Sequence, residues 1–168
     1  MVDMTLLWLL LCPVLPEVES EQSVTVKCTI GELSATKTLA ILPVTEKSLT
    51  LTGSNLLENG ASYSGCNGDH TVGDFTFTTT DICVQSGNLQ FKKNSGTLTV
   101  KTSGAASITS ITLPTNKLTV IIGTETVTGV QSGNNYVYTA TTQATTFTIK
   151  NATTGACQLA SIVIDYLA

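Results

Sequence analysis

The only histidine of this chain, His70, lies in the run Cys66-Asn-Gly-Asp-His-Thr-Val-Gly-Asp74, with Ser62 and Ser64 just upstream. These are the residue types of a Ser-His-Asp hydrolase, in which the imidazole takes the hydroxyl proton while a carboxylate, Asp69 or Asp74, orients the ring. Neither serine sits in the Gly-x-Ser-x-Gly turn that exposes such a nucleophile. A polar loop histidine explains the run more simply. Asp69 and Asp74, with the carbonyls of a Gly- and Asn-rich loop, are also the oxygen donors Ca²⁺ prefers. Their spacing is not that of an EF-hand, and turn-forming aspartates need no metal. Beyond Phe75 the acids are Asp81, Glu125 and Asp165, each in a different segment. Glycoside hydrolysis needs two carboxyls facing each other across a cleft. The expectation is a non-enzymatic protein without cofactor or resident metal.

Of the five cysteines, Cys12, Cys28, Cys66, Cys83 and Cys157, no two form a Cys-x-x-Cys pair. Zinc and thioredoxin-like chemistry therefore lose their usual signature, and disulfides of an oxidising compartment become the expectation. Cys66 with Cys83 closes a loop of ordinary size, which leaves Cys28 with Cys157; buried thiols are the alternative. Tyr136 and Tyr138 fall two apart on one strand. With Val137 pointing inward they form an exposed pair on which sugar rings stack, and Tyr63 adds a third surface; tyrosines covering a sandwich edge are the plainer reading. Asn151-Ala-Thr153 is an N-glycosylation sequon.

What must position these residues is a β framework. The segments FTFTTT, NLQFKK, TLTVKTS, SITSITL, KLTVII, TETVT, YVYTA, TFTIK and ASIVIDY alternate apolar residues with Thr and are separated by Gly- and Asn-rich turns. Period-2 alternation is the signature of a sheet with one buried and one wet face. Thr occurs 31 times and takes the wet side, where a β-branched hydroxyl residue suits a half-exposed pleat. Further upstream, residues 23–30, 36–41 and 48–52 read as strands around a Gly31-Glu32 turn and Pro43, and residues 53–73 as the longest loop. The run Val84-Gln85-Ser86-Gly87-Asn88 recurs at residues 130–134, and each copy leads into similar strands, which describes two three-strand units packed face to face. The fold class expected is all-β, an antiparallel β-sandwich of jelly-roll or Ig-like type.

The first 22 residues read as an apolar N-terminal arm or signal peptide, and 23–168 as one domain. Leu6, Leu7, Trp8, Leu9, Leu10 and Leu11 form an apolar run too short for a transmembrane helix, and Asp3 stands where a signal peptide carries basic residues. All eight basic residues are lysines and the net charge is -4. Without a guanidinium or a basic patch beyond Lys92-Lys93, nucleic-acid binding is not expected.

Residues 74–166, with FTFTTTDICVQSGNLQFKKNSGTLTVKT and FTIKNATTGACQLASIVIDY, resemble the jelly-roll-like β-sandwich domains of secreted and surface proteins of the Bacteroidota type. The resemblance implies an adhesive, carbohydrate-binding or assembly module and brings no catalytic residues. Charged residues make up only 12% of the chain, against about a quarter in an ordinary soluble domain, and such a Thr-rich, charge-poor surface fits an extracellular structural role. The function expected is a secreted or cell-surface filament subunit, reminiscent of strand-donating pilus or fibril subunits. Its partner is a second copy, reached through residues 6–11 and the alternating Val24 and Val26; a carbohydrate-binding module is the alternative.

Overall fold

The computed structural model describes residues 21–30, 33–41, 43–57, 60, 62–104 and 106–168, with the backbone alone at 30, 33 and 41. The chain divides into two compact units, Met1–Thr45 and Glu46–Ala168. The division follows Pro43, which has no N–H to continue a strand ladder. In the first unit β1 (Gln22–Ile30) and β2 (Leu33–Ile41) pair antiparallel from Gln22↔Ile41 to Ile30↔Leu33 and make a sheet of their own. The Gly31-Glu32 turn lies outside the described residues.

The second unit is the all-β sandwich expected from the alternation. In order come β3 (Glu46–Thr52), the single-turn helix α1 (Gly53–Leu56), a 3₁₀ turn (Ser64–Cys66), β4 (Gly68–Val72), β5 (Phe75–Thr80), β6 (Ile82–Gln85), β7 (Asn88–Phe91) and β8 (Thr97–Thr102). Then follow β9 (Ser107–Leu113), β10 (Thr119–Ile122), β11 (Glu125–Val127), β12 (Val130–Ser132), β13 (Asn135–Ala144), β14 (Thr146–Lys150), β15 (Cys157–Leu159) and β16 (Ser161–Leu167). They form a six-stranded sheet, β11-β10-β14-β8-β5-β4, a five-stranded sheet, β12-β13-β9-β16-β3, and a three-stranded sheet, β15-β7-β6. Every pairing is antiparallel.

The core follows from the alternation strand by strand. On β5, Phe75, Phe77 and Thr79 are buried while Thr78 and Thr80 are exposed; on β8, Leu98 and Val100 are buried while Thr97 and Thr99 are half-exposed and Lys101 is exposed. These inner faces meet Leu51, Ile111, Leu113, Ile162 and Ile164 of the five-stranded sheet in one apolar cluster. Tyr166 stacks edge-on against Phe75 at 4.9 Å. The three-stranded sheet lends Ile82, Val84, Leu89, Phe91 and Leu159 to the same cluster. Each such side chain contributes about 1.5–3 kcal/mol by leaving water.

Two expectations are corrected here. The segment 53–73 is not one loop: residues 68–72 pair with β5, from Gly68↔Thr79 to Val72↔Phe75, through a turn at Gly73 with φ of 56°. An edge strand needs no apolar alternation, so its sequence did not mark it. The repeated pieces also do not face each other across the sandwich. TLTVK and TFTIK are β8 and β14, adjacent in one sheet with Leu98↔Ile149 and Val100↔Phe147 paired. SITSITL and SIVIDY are β9 and β16, neighbours in the other, with Ile111↔Ile164. The echo therefore lies side by side within each sheet.

Candidate functional site

In the first unit β1 and β2 alternate in phase. Val24, Val26 and Cys28 stand opposite Leu39, Lys37 and Ala35, and these pairs share one face. Ser23, Thr25, Lys27 and Thr29 share the other with Ala40, Thr38, Thr36 and Ser34, where Thr25 and Thr38 are joined hydroxyl to hydroxyl at 3.2 Å. In a globular domain the first of these faces would be covered. Here Leu39 is 48% exposed, Cys28 is exposed, and Val24 and Val26 are half-buried. Both outer edges of the pair lack a neighbouring strand among the described residues. The rest of the expected assembly segment, Leu6 to Leu11 with Trp8, lies outside the described residues.

The polar residues around His70 do structural work. Its Nε2 lies 3.4 Å from the Cys66 carbonyl oxygen and 3.2 Å from Thr79 Oγ1. Thr79, buried on β5, donates to the Cys66 carbonyl and lies 3.2 Å from that of Gly68. Ser62 and Ser64 contact each other at 3.4 Å, whereas the histidine ring nitrogen faces Cys66 and Thr79. Asp69 accepts from Thr78 Oγ1 at 2.6 Å across the β4–β5 pair, while Asp74 lies in the turn at the far end of that pair. The backbone between them spans more than about 10 Å. Among the described residues no group of three or more His, Cys, Asp or Glu side chains converges as a metal site.

The tyrosine platform does not form. Tyr138 points into the core at 2% exposure, its hydroxyl 3.4 Å from the Thr115 carbonyl. A Cβ on Gly129 would come within 2.7 Å of its ring. Tyr136 is half-buried on the same inward side, so the phase is opposite to that expected, because Leu113 and Ile111 across the ladder demand an apolar partner. Burial raises the phenol pKa of Tyr138 above its usual value, with Tyr136 adding to the shift. Tyr63 packs partly on the core with Lys92 Nζ 5.8 Å from its ring centroid, and the same ammonium pairs with Asp81 at 3.2 Å. Hydrogen bonds from Ser95 and then Lys92 hold the Asp81 carboxyl below its ordinary pKa.

Asn151 is likewise corrected as a sugar acceptor. It is 2% exposed, and its Nδ2 donates to the carbonyls of Phe91 at 3.1 Å and Gly155 at 2.9 Å. Its Oδ1 accepts from the backbone N–H of Thr153 at 3.0 Å and from the Thr153 hydroxyl at 2.7 Å. The sequon is a buried turn lock, and a glycan on Nδ2 has no place in it. The alternation of FTIKN gave no sign of this, because the carbonyl of Phe91 that helps bury the amide comes from a strand far away in the sequence.

No disulfide joins the described cysteines, so the pairings Cys66–Cys83 and Cys28–Cys157 are not made. Cys83 sits in a strand buried on both faces, and its thiol contacts Gln90 Oε1 on the paired strand at 3.6 Å. Cys157 is buried on β15 opposite Phe91, while Cys28 is exposed on the hairpin of the other unit. Burial raises the thiol pKa of both Cys83 and Cys157.

Among the described residues no helix is long and apolar enough to cross a membrane. No protein-family model matches the chain, and no curated protein is similar to it. The all-β sandwich rests on the structure itself.

Proposed function

We propose that the protein is a non-enzymatic structural subunit, secreted or surface-exposed, that assembles head-to-tail into a filament through its N-terminal segment. The observation that carries the reading is the β1–β2 hairpin. A lone two-stranded sheet is marginal in water, and edges without a partner strand among the described residues, beside a face on which Leu39 is 48% exposed, invite a further strand. Strand addition supplies affinity through main-chain hydrogen bonds and specificity through alternate side-chain contacts. Since the donated strand and its receiving edge are different surfaces, the contact is heterologous, and copies add without closing unless the rotation happens to return. The low charge and Thr-rich wet faces support an extracellular setting; with no disulfide among the described cysteines, composition alone speaks for that location.

Removing the residues before Thr36 tests the reading by sedimentation and electron microscopy. The full chain is expected to form elongated assemblies and the truncated chain to stay monomeric with its sandwich intact. Equal assembly of both, or a full chain that remains monomeric at high concentration, overturns it.

A further inference from the structure

We infer that the open edge of β3 receives β1 of a second copy, antiparallel, with Lys27 of the donor opposite Glu46 of the acceptor. This rests on the assembly reading above and names the surface that completes it. Among the described residues the larger sheets of the sandwich end in four edge strands: β11 and β12 have three residues each, β4 has five and β3 has seven. On its inner side β3 pairs with β16 along its whole length, from Glu46↔Leu167 to Thr52↔Ser161, with no register shift. Of the devices that blunt an edge, β3 has neither a bulge nor a very short strand, and its charges, Glu46 and Lys47, are confined to its first two residues.

The two strands share one pattern. On β3, Leu51 is buried and Leu49 half-buried toward the core, while Glu46, Ser48 and Thr50 are exposed. On β1, Val24 and Val26 alternate with Ser23, Thr25 and Lys27 in the same way. Setting Lys27 opposite Glu46 places Thr25 against Ser48, Val24 against Leu49 and Ser23 against Thr50. On the core side Val24 then meets Leu49, with Gln22 opposite Leu51; hydroxyls meet on the wet side, and opposite charges pair at the end. A slip of one residue would turn Val24 out to solvent, and a slip of two would separate Lys27 from Glu46. Val26 falls opposite Lys47, whose aliphatic stem can lie along it. The other hairpin strand fits less well. Lys37 lies on the same face as Leu39 and Ala35, so β2 at this edge would set an ammonium group beside the leucines.

The test is a cross-link in the full-length chain carrying Thr25→Cys and Ser48→Cys, with Cys12 and Cys28 changed to Ser. Residues directly opposite in an antiparallel pair have Cα atoms about 4.5–5.5 Å apart, within disulfide range. Oxidised glutathione accepts the two electrons and two protons released as the two thiols join. A ladder of dimers, trimers and higher species on a non-reducing gel is expected, and only a faint one from the out-of-register pair Thr25→Cys and Thr50→Cys. A cross-link confined to single chains, or equal ladders from both pairs, overturns the inference. Glu46→Lys is further expected to raise the concentration needed for assembly several-fold, and adding Lys27→Glu to restore it; no restoration also overturns the pairing. If the wild-type chain assembles and the truncated chain does not, yet no ladder forms, the β3 edge is wrong and the N-terminal reading stands. A wild-type chain that never assembles removes both.

Discussion

The hairpin β1–β2 and the sandwich that follows it are written in the same alternating code, yet among the described residues only the sandwich encloses a core. In β5 the code FTFTTT buries Phe75 and Phe77 at 1% and 0% exposure, because a second sheet lies across from it. In β2 the code leaves Leu39 at 48%, because no second layer covers it among the described residues. Alternation therefore specifies that one face wants covering, and the partner that covers it decides whether the strand belongs to a core or to an interface. The first consequence is a contrast in mutational cost. Phe77→Ala is expected to lose about 3–5 kcal/mol in urea unfolding of the full chain, the usual range for emptying a packed aromatic site. Leu39→Ala is expected to stay within about 0.5 kcal/mol under monomeric conditions. Comparable losses at the two positions would break the comparison, since they would mean that the hairpin face is covered within the chain.

A smaller loss is expected where the sandwich buries polarity. Asn151→Ala removes the two amide donations to Phe91 and Gly155 and the acceptor that holds Thr153. Leaving buried carbonyls without donors costs about 1–3 kcal/mol, so the variant should unfold at lower urea by that amount. Among the described residues every buried side-chain nitrogen and oxygen has a partner, which is why one deletion here is felt. A neutral result would show that Asn151 is replaceable by water, and a mature protein bearing a glycan at this residue would contradict the buried turn directly.

The fold class was legible because alternation is local: each of the strands from FTFTTT to SIVIDY can be read without its neighbours. What could not be read is which strand lies beside which. The run Val-Gln-Ser-Gly-Asn shows the limit. In its first copy Ser86 and Gly87 both take positive φ, 52° and 78°, and close the β6–β7 pair with Gln85 opposite Asn88. In the second copy the turn moves one residue along, Gly133 takes φ of 60°, and Ser132 pairs with Asn135. Identical five-residue strings give hairpins in different phase, since the strands they join are held by different neighbours. The same dependence turned Tyr138 inward, where Ile111 is its partner, against an expectation drawn from Val137 alone. The first strand was legible as a strand with Val24 and Val26 on one side, while the placement of His70 against the Cys66 carbonyl and the Thr79 hydroxyl was not, because it depends on β4 pairing with β5.

The smallest expected effect separates the two regions by their thiols. Cys28, exposed on the hairpin, should be alkylated by iodoacetamide in the folded protein, while Cys83 and Cys157 should react only as the sandwich unfolds. Burial makes the thiolate of these two costlier in the fold than in the unfolded chain, so their folded pKa lies above the unfolded one. A group whose pKa is raised by folding contributes fully at pH below its unfolded value, and that contribution drains away as pH climbs through the thiol range toward the raised folded value. Sandwich stability should thus be flat near neutrality and fall under alkaline conditions, with a shallower fall in Cys157→Ala once its overall destabilisation is subtracted. An alkaline slope that is the same in Cys157→Ala as in the wild type would mean that this thiol is not enclosed in the fold, and would sink the contrast between an enclosed sandwich and an exposed hairpin.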